Sequence, residues 1–260
     1  MKQLLLLGIL ISIFSCQQKT VPKSGLAESS KIEIYKINYQ EQDKVYAKQI
    51  EAWLNTGQQQ IEDFFNHPFK NPFTVNLFTN RDSLDKQWQK DWNMPTFKSQ
   101  CWMVASGIGH RLDILSPGKW KEQACEHNPE DTTALRKLIV HELVHVYHGQ
   151  QNPSPTFENV ENIDWFVEGV AVYVSGQNDK ERYQRTKKFL QEEQGPTKLS
   201  NIWKGEHRYG MAGTIVQYID ETYGRDMLFT SLSKTKATEV LGLLHTTEEE
   251  LIRNWKKYIK

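Results

Sequence analysis

The sequence has 260 residues, of which 38% are hydrophobic and 25% are charged, so it can bury one globular core or two small lobes that share a cleft. This composition argues against a disordered chain. Lysine plus arginine and aspartate plus glutamate number 32 each, so the formal net charge is zero. No whole-molecule field attracts nucleic acid or an anionic membrane, and we expect no nucleic-acid partner.

The first residues have the pattern of an export signal. Lys2 precedes an apolar run from Leu4 to Phe14, which is too short for a permanent membrane helix and is typical of a secretory signal. The run leads into Ile-Phe-Ser-Cys, and Cys16 in this string resembles the lipid-bearing cysteine of a bacterial lipobox. A plain signal peptide with an incidental cysteine is the alternative.

These features predict three segments and a location. Residues 1–15 form a signal peptide, residues 16–30 form a lipidated cysteine with a polar tether rich in Pro, Gly and Ser, and residues 31–260 form a single folded domain. We expect the protein in the bacterial cell envelope, facing the periplasm or the surface. Its membrane partner would be reached through the lipid anchor at Cys16. The sequence does not predict an oligomeric state.

Two further cysteines, Cys101 and Cys125, remain once the signal is removed. Two thiols in an oxidising compartment favour a disulfide bridge between them. Metal binding is the alternative, but neither cysteine belongs to a Cys-x-x-Cys string or has a histidine at ligand spacing. We therefore predict a Cys101–Cys125 disulfide.

Hydrophobic periodicity predicts an α+β fold, with a small mixed sheet lobe followed by a mainly helical lobe. Gly57 is a candidate bend in the first helix, and Ser106 with Gly107 is the expected join between the last two strands. Helices are expected at 40–66, 81–92, 131–149, 164–175, 179–194, 208–223, 225–233 and 247–259. Strands are expected at 73–77, 101–105 and 108–115.

The helix at 131–149 contains the string His-Glu-Leu-Val-His. Each helical residue turns about 100°, so His141 and His145 lie about 40° apart on one face and can hold one ion. Two imidazoles at this spacing suit zinc. Glu142 lies on the flank, where a general base that activates water is needed. A purely structural metal would need no such base.

The residues around this string are apolar on nearly every face, which predicts a buried helix. Buried imidazoles and carboxylates need polar partners. Core histidines bonded to backbone or water are the alternative to a metal site. That alternative accounts for one of the three polar side chains but poorly for all of them.

A third ligand is expected from the helix at 164–175. Its single interior carboxylate, Glu168, lies among Trp, Phe, Val, Ala and Tyr residues, where an ionised glutamate is unfavourable unless a cation compensates it. Gly169 beside it would allow this helix to approach the zinc helix closely. Two histidines and one glutamate leave a fourth position open, which is the catalytic pattern of zinc sites.

The string His-Glu-Leu-Val-His followed by Trp-Phe-Val-Glu-Gly-Val-Ala resembles the gluzincin metallopeptidases, which pair a His-Glu-x-x-His helix with a Trp-x-x-Glu-Gly helix. It is most similar to their small bacterial MA-like members, which have a thermolysin-like catalytic core, and the likeness extends from about residue 72 to 260. The resemblance implies a zincin-like peptidase domain, with His141, His145 and Glu168 as zinc ligands and Glu142 as general base.

Two related classes fit the sequence less well. A metzincin would have a glycine where His148 stands and a third histidine where Gln151 stands. Aminopeptidases of the resembling group have a Gly-x-Met-x-Asn strand that holds the amino end of the substrate, and this string is absent from the sequence. The expected activity is therefore that of an endopeptidase.

The resembling enzymes stabilise the oxyanion with a Tyr or His from the later helices. Tyr209 is our first candidate for that role and His207 the second, while packing at a helix cap is the alternative for Tyr209. We expect His148 at the rim of the site or beside the ligands. The strand at 108–115 is a candidate open edge to which an extended substrate could add.

The sequence therefore predicts a zinc-dependent peptidase whose partner is a peptide or protein substrate. Glu142 would take a proton from water and pass it to the leaving amine. Two alternatives stay open. One is a lipoprotein that retains zinc but serves as a binding module, and the other is a zinc hydrolase that acts on a non-peptide bond.

Cys16→Ala should release the protein from the membrane fraction, because no other segment of the sequence is expected to hold it there. The measurement is the distribution of protein between pellet and supernatant after fractionation. A Cys16→Ala protein that still pellets with membranes in high salt would contradict the lipid anchor.

Overall fold

The structure, a computed structural model, describes residues 34–192 and 195–259, and these contain a four-stranded sheet and ten helices. The expected signal peptide and the tether with Cys16 lie outside the described residues. In chain order the elements are β1 (Tyr35–Asn38), α1 (Lys44–Phe65), β2 (Phe73–Phe78), α2 (Arg81–Asp91), β3 (Ala105–Ile108), β4 (Arg111–Leu115), α3 (Trp120–Gln123), α4 (Thr132–Gln151), α5 (Asp164–Val174), α6 (Lys180–Glu192), α7 (Arg208–Tyr223), α8 (Arg225–Ser231), α9 (Ala237–Leu243) and α10 (Glu248–Ile259). The α+β class predicted from periodicity is confirmed.

The sheet is mixed, with the strand order β1-β2-β4-β3. The first three strands in that order are parallel, and β3 is antiparallel to β4. Phe73, Val75 and Leu77 of β2 are buried while the residues between them are partly exposed, as the alternation predicts. The strand expected at 108–115 as an open edge is interior, because β4 pairs on both sides. The open edge next to it belongs to β3.

The join between the last two strands was predicted at the wrong residues. Gly107 lies inside β3, and the hairpin turn is formed by Gly109 and His110. A Cβ at Gly107 would lie 2.1 Å from the carbonyl oxygen of Glu142, so glycine is needed here because the strand runs directly against α4. The glycine that the pattern marked as a turn is therefore a point of close approach between strand and helix.

Helix α4 lies at the centre of the molecule and is buried against α1 and α5 and against β3. Gly57 lets α1 approach it, because a Cβ there would lie 2.9 Å from a methyl group of Val140. The structure assigns α1 as continuous through Gly57. Residues of β2, β4, α1, α4, α5 and α7 share the main hydrophobic core, so the sheet and the helices are packed against each other.

The predicted partner of Gly169 is wrong. A Cβ at Gly169 would lie 2.4 Å from the carbonyl oxygen of Ala212, so the glycine permits the close packing of α5 on α7 and not on α4. The elements that prediction missed, β1, α3 and α9, have four to seven residues. No helix within residues 34–192 and 195–259 is long and apolar enough to cross a bilayer.

Gly169→Ala should destabilise the fold by about 1–3 kcal/mol, because the added methyl group collides with backbone of α7 that cannot rotate away. The matched control is Gly242→Ala in α9, where an added Cβ meets nothing within 4 Å. We expect that control to be neutral or stabilising by up to about 1 kcal/mol. The measurement is the free energy of unfolding in urea, and equal values for both variants would contradict the packing described.

Candidate metal centre

Helix α4 brings the two predicted histidines together. The Nε2 atoms of His141 and His145 lie 3.1 Å apart, and both residues are buried. One helical turn separates them, and the apolar faces of α4 are covered by the core, so the two rings share the one side of the helix that faces a cleft.

Helix α5 adds the predicted carboxylate. Glu168 Oε2 lies 3.4 Å from His141 Nε2 and 3.6 Å from His145 Nε2, and the glutamate side chain is 26% exposed toward the cleft. Burial alone would raise the pKa of Glu168, but the two histidines outweigh it and hold that pKa far below its usual range. Burial lowers and Glu168 raises the pKa of His145, and the net shift is upward.

The three atoms are spaced as ligands of one ion would be. Four ligands at about 2.0–2.1 Å around tetrahedral zinc lie about 3.4 Å from one another, and the three measured separations are 3.1, 3.4 and 3.6 Å. Three electron-pair donors this close repel one another unless a cation or a proton lies between them. Within the described residues, these three form the group that could hold a metal.

The alternative of ordinary core histidines bonded to backbone finds no support. His141 Nδ1 and His145 Nδ1 are buried and make no hydrogen bond with any described residue. Metal-bound histidines more often donate this second nitrogen to an oxygen. Here packing orients the rings, since Tyr209 lies against His141 and Phe157 against His145, each with ring centroids 6.3 Å apart.

Glu142 lies in the same cleft, on the flank of α4. Its Oε2 accepts a hydrogen bond of 2.9 Å from the backbone N–H of Gly107 in β3. This bond ties the carboxylate to the open-edge strand and fixes its direction. The absence of a side chain at Gly107 is what lets the strand come close enough to donate it.

Tyr209 faces the cleft from the first turn of α7. Burial, with smaller contributions from the charges of Glu168 and Glu142, raises its pKa to about 12, so its phenol is a hydrogen-bond donor at neutral pH. His207 does not line the cleft. It precedes α7 and stacks on Phe189 with ring centroids 4.3 Å apart.

His148 is not at the rim of the site. It is fully buried, and its ring makes edge contacts with Phe157 and Phe166. Burial, with the charge of His145 added to it, lowers its pKa to about 3, so the ring is neutral. His148 therefore packs behind the histidine pair as a core residue and does not add a ligand.

The cleft has a volume of about 670 Å³ and separates the helices from a wall formed by β3 and the loop before it. The predicted disulfide between Cys101 and Cys125 is present and joins the loop before β3 to the segment after α3, whose Glu126 and His127 also line the cleft. Sequence reasoning did not identify the cleft residues Trp102, Arg182 or Arg208. Nothing local in the sequence marks them, because they come from separate loops and helices.

No family model matches the chain, no curated protein matches it, and no solved structure matches it.

The geometry predicts that the protein binds one zinc ion per chain, because three convergent ligands between apolar helices otherwise lack a compensating charge. Zinc at about 100 times its dissociation constant should stabilise the fold by about 2.7 kcal/mol and raise the melting temperature by roughly 5–10 °C. The measurements are metal analysis and thermal melting before and after chelation. A metal content near zero after zinc loading would contradict this ligand set.

Proposed function

We propose that this chain is a zinc-dependent peptidase of the gluzincin type, with a zincin-like fold and endopeptidase activity. The observation that carries the proposal is the convergence of two histidines and a glutamate, within 3.1–3.6 Å, beside a second glutamate in one cleft. His141, His145 and Glu168 would hold the ion. When bound, zinc would polarise the scissile carbonyl and acidify water.

The protein's own residues supply the proton transfers and the donors. Glu142 takes a proton from the attacking water and passes it to the leaving amine. The N–H of Gly107 supports this role, because it occupies Oε2 of the carboxylate and sets its orientation. Tyr209 keeps its proton at neutral pH and can donate a hydrogen bond to the oxyanion that forms on the carbonyl.

A peptide is the substrate class that the cleft favours. No strand within the described residues pairs with the outer edge of β3, whose Gly107 N–H is bonded to Glu142, and the strand lines the cleft over its whole length, from Ala105 to Ile108. An extended peptide can add to such an edge through main-chain hydrogen bonds. That alignment would bring its backbone alongside Glu142, which is bonded to the same strand.

The disulfide in the cleft wall is compatible with an oxidising compartment, and so with export and a lipid anchor at Cys16. We propose that the catalytic domain is held at the bacterial envelope by that anchor. The two alternatives differ in measurable ways: a binding module would retain zinc without hydrolysis, and a non-peptide hydrolase would leave peptides intact.

Glu142→Gln should retain zinc and fold while losing nearly all hydrolysis, because the amide cannot accept a proton from water. His141→Ala should lose both zinc and activity, because it removes a ligand. The assay is cleavage of casein and of a mixed peptide library, with zinc measured on the same samples.

Two outcomes would count against this function. A wild-type protein that carries zinc and cleaves nothing in the library would favour the binding module or a non-peptide substrate. Hydrolysis at the wild-type rate in zinc-loaded Glu142→Gln would contradict the role of this carboxylate.

A further inference from the structure

Two arginines in the cleft have no acidic partner. Arg208 and Arg182 both line the cleft together with the histidine pair, and neither forms an ion pair within 4.0 Å of any described acidic side chain. The Nε atom of each is buried and makes no hydrogen bond with any described residue. This arrangement is unfavourable, because the Nε–H donor of each half-buried guanidinium is removed from water and has no other partner.

Aromatic residues hold Arg208 in place and satisfy only part of its hydrogen-bonding capacity. Its guanidinium carbon lies 5.4 Å from the ring centroids of Trp102 and Trp203 and 5.3 Å from that of Tyr209. Such contacts stabilise the positive charge through the ring faces. The two tryptophan rings offer no oxygen to the N–H groups. The Tyr209 hydroxyl is hydrogen-bonded to the Arg208 side chain, which leaves the other donors of the guanidinium, including the buried Nε, for a ligand.

Arg182 approaches the same tyrosine from α6, with its guanidinium carbon 5.7 Å from the Tyr209 centroid. Burial lowers its pKa, and the charge of Asp179 offsets part of that shift. The carboxylate of Asp179 is bonded elsewhere, to Lys137 at 2.9 Å and to the backbone N–H of Arg182. The Arg182 guanidinium therefore faces the cleft without a counter-ion at contact distance.

We propose that Arg208, assisted by Arg182, is a specificity-determining subsite that binds a carboxylate of the substrate. The planar guanidinium matches a carboxylate through two parallel hydrogen bonds. The carboxylate is either the C-terminus of a peptide or an Asp or Glu side chain. This proposal rests on the proposed peptidase function, because it assigns the cleft a peptide ligand.

The position of the subsite limits where the acidic group can be. The His141 and Tyr209 ring centroids are 6.3 Å apart, and the Arg208 guanidinium carbon lies 5.3 Å from the Tyr209 centroid. An extended peptide advances about 3.3 Å per residue, so these two steps cover no more than about four residues. The selected carboxylate therefore belongs to a residue within about four positions of the scissile bond.

The test measures peptide binding in the full-length Glu142→Gln protein, where turnover is blocked. The probes are two pairs: acetyl-pentaalanine as free acid and as amide, and acetyl-Ala-Ala-Xaa-Ala-Ala-amide with Glu or Gln at Xaa. Dissociation constants are determined by calorimetry and by the change in tryptophan fluorescence, on zinc-loaded and on metal-free protein. The metal-free measurement removes direct binding of a carboxylate to the ion.

We expect the acidic member of one pair to bind about tenfold to a hundredfold more tightly than its neutral partner. The first pair reports a C-terminal carboxylate and the second a side chain. Adding Arg208→Gln should reduce the ratio of the neutral to the acidic dissociation constant to near one, and adding Arg182→Gln should reduce that ratio in part. The matched control is Arg185→Gln in α6, the helix that also carries Arg182. Arg185 is exposed and paired with Glu181, so this variant should leave the ratio unchanged.

A ratio near one for both pairs in the parent protein would overturn the proposal, and so would a ratio that survives in folded Arg208→Gln. If that variant unfolds, Arg208→Lys retains the charge but loses the bidentate geometry, and an unchanged ratio would again overturn it. The peptidase function fails separately. A protein that prefers the acidic probes but cleaves no peptide would support the subsite and contradict the peptidase function. Cleavage without a preference for acidic probes would contradict the subsite alone.

Discussion

The placement of two buried imidazoles and a partly exposed carboxylate between apolar helices is the constraint on which the rest of the structure depends. His141, His145 and Glu168 have their reacting atoms within 3.6 Å, while the remaining faces of α4 and α5 are packed in the main core. Such a group is tolerated only if a cation compensates it and if the helices cannot separate. Close contacts at glycines bear on the second condition: Gly57 and Gly107 hold α1 and β3 against α4, and Gly169 holds α5 against α7.

The convergence of His141, His145 and Glu168 could be predicted because its signal is local. The spacing of His141 and His145 in a helix fixes the direction of both side chains. A single interior carboxylate in an apolar helix requires a positive partner, whichever part of the chain supplies it. The extent of the long helices followed from the same periodicity. The Cys101–Cys125 disulfide followed from the small number of cysteines, and the structure has it.

The parts that could not be predicted depend on contacts between distant residues. The sequence predicts a turn at Gly107 and the wrong partner helix for Gly169, because it does not tell which backbone lies opposite each glycine. The short strand β1 and helix α9 have too few residues for a periodic signal. The role of Arg208 could not be predicted, because the aromatic residues around it, Trp102, Trp203 and Tyr209, come from separate positions in the chain.

The wall of the cleft that faces α4 and α5 is built in a different way from the rest of the molecule. Residues 99–103 have no helix or strand, and the Arg81 guanidinium bonds Ser99 Oγ and the carbonyl oxygens of Gln100, Cys101, Met103 and Gln123. Backbone carbonyl oxygens accept five of these six bonds, so the course of the wall depends little on which side chains stand at positions 102 and 103. In evolutionary terms this separates two traits: a lineage can exchange the side chains that the wall presents to the cleft while α4 and α5 stay as they are.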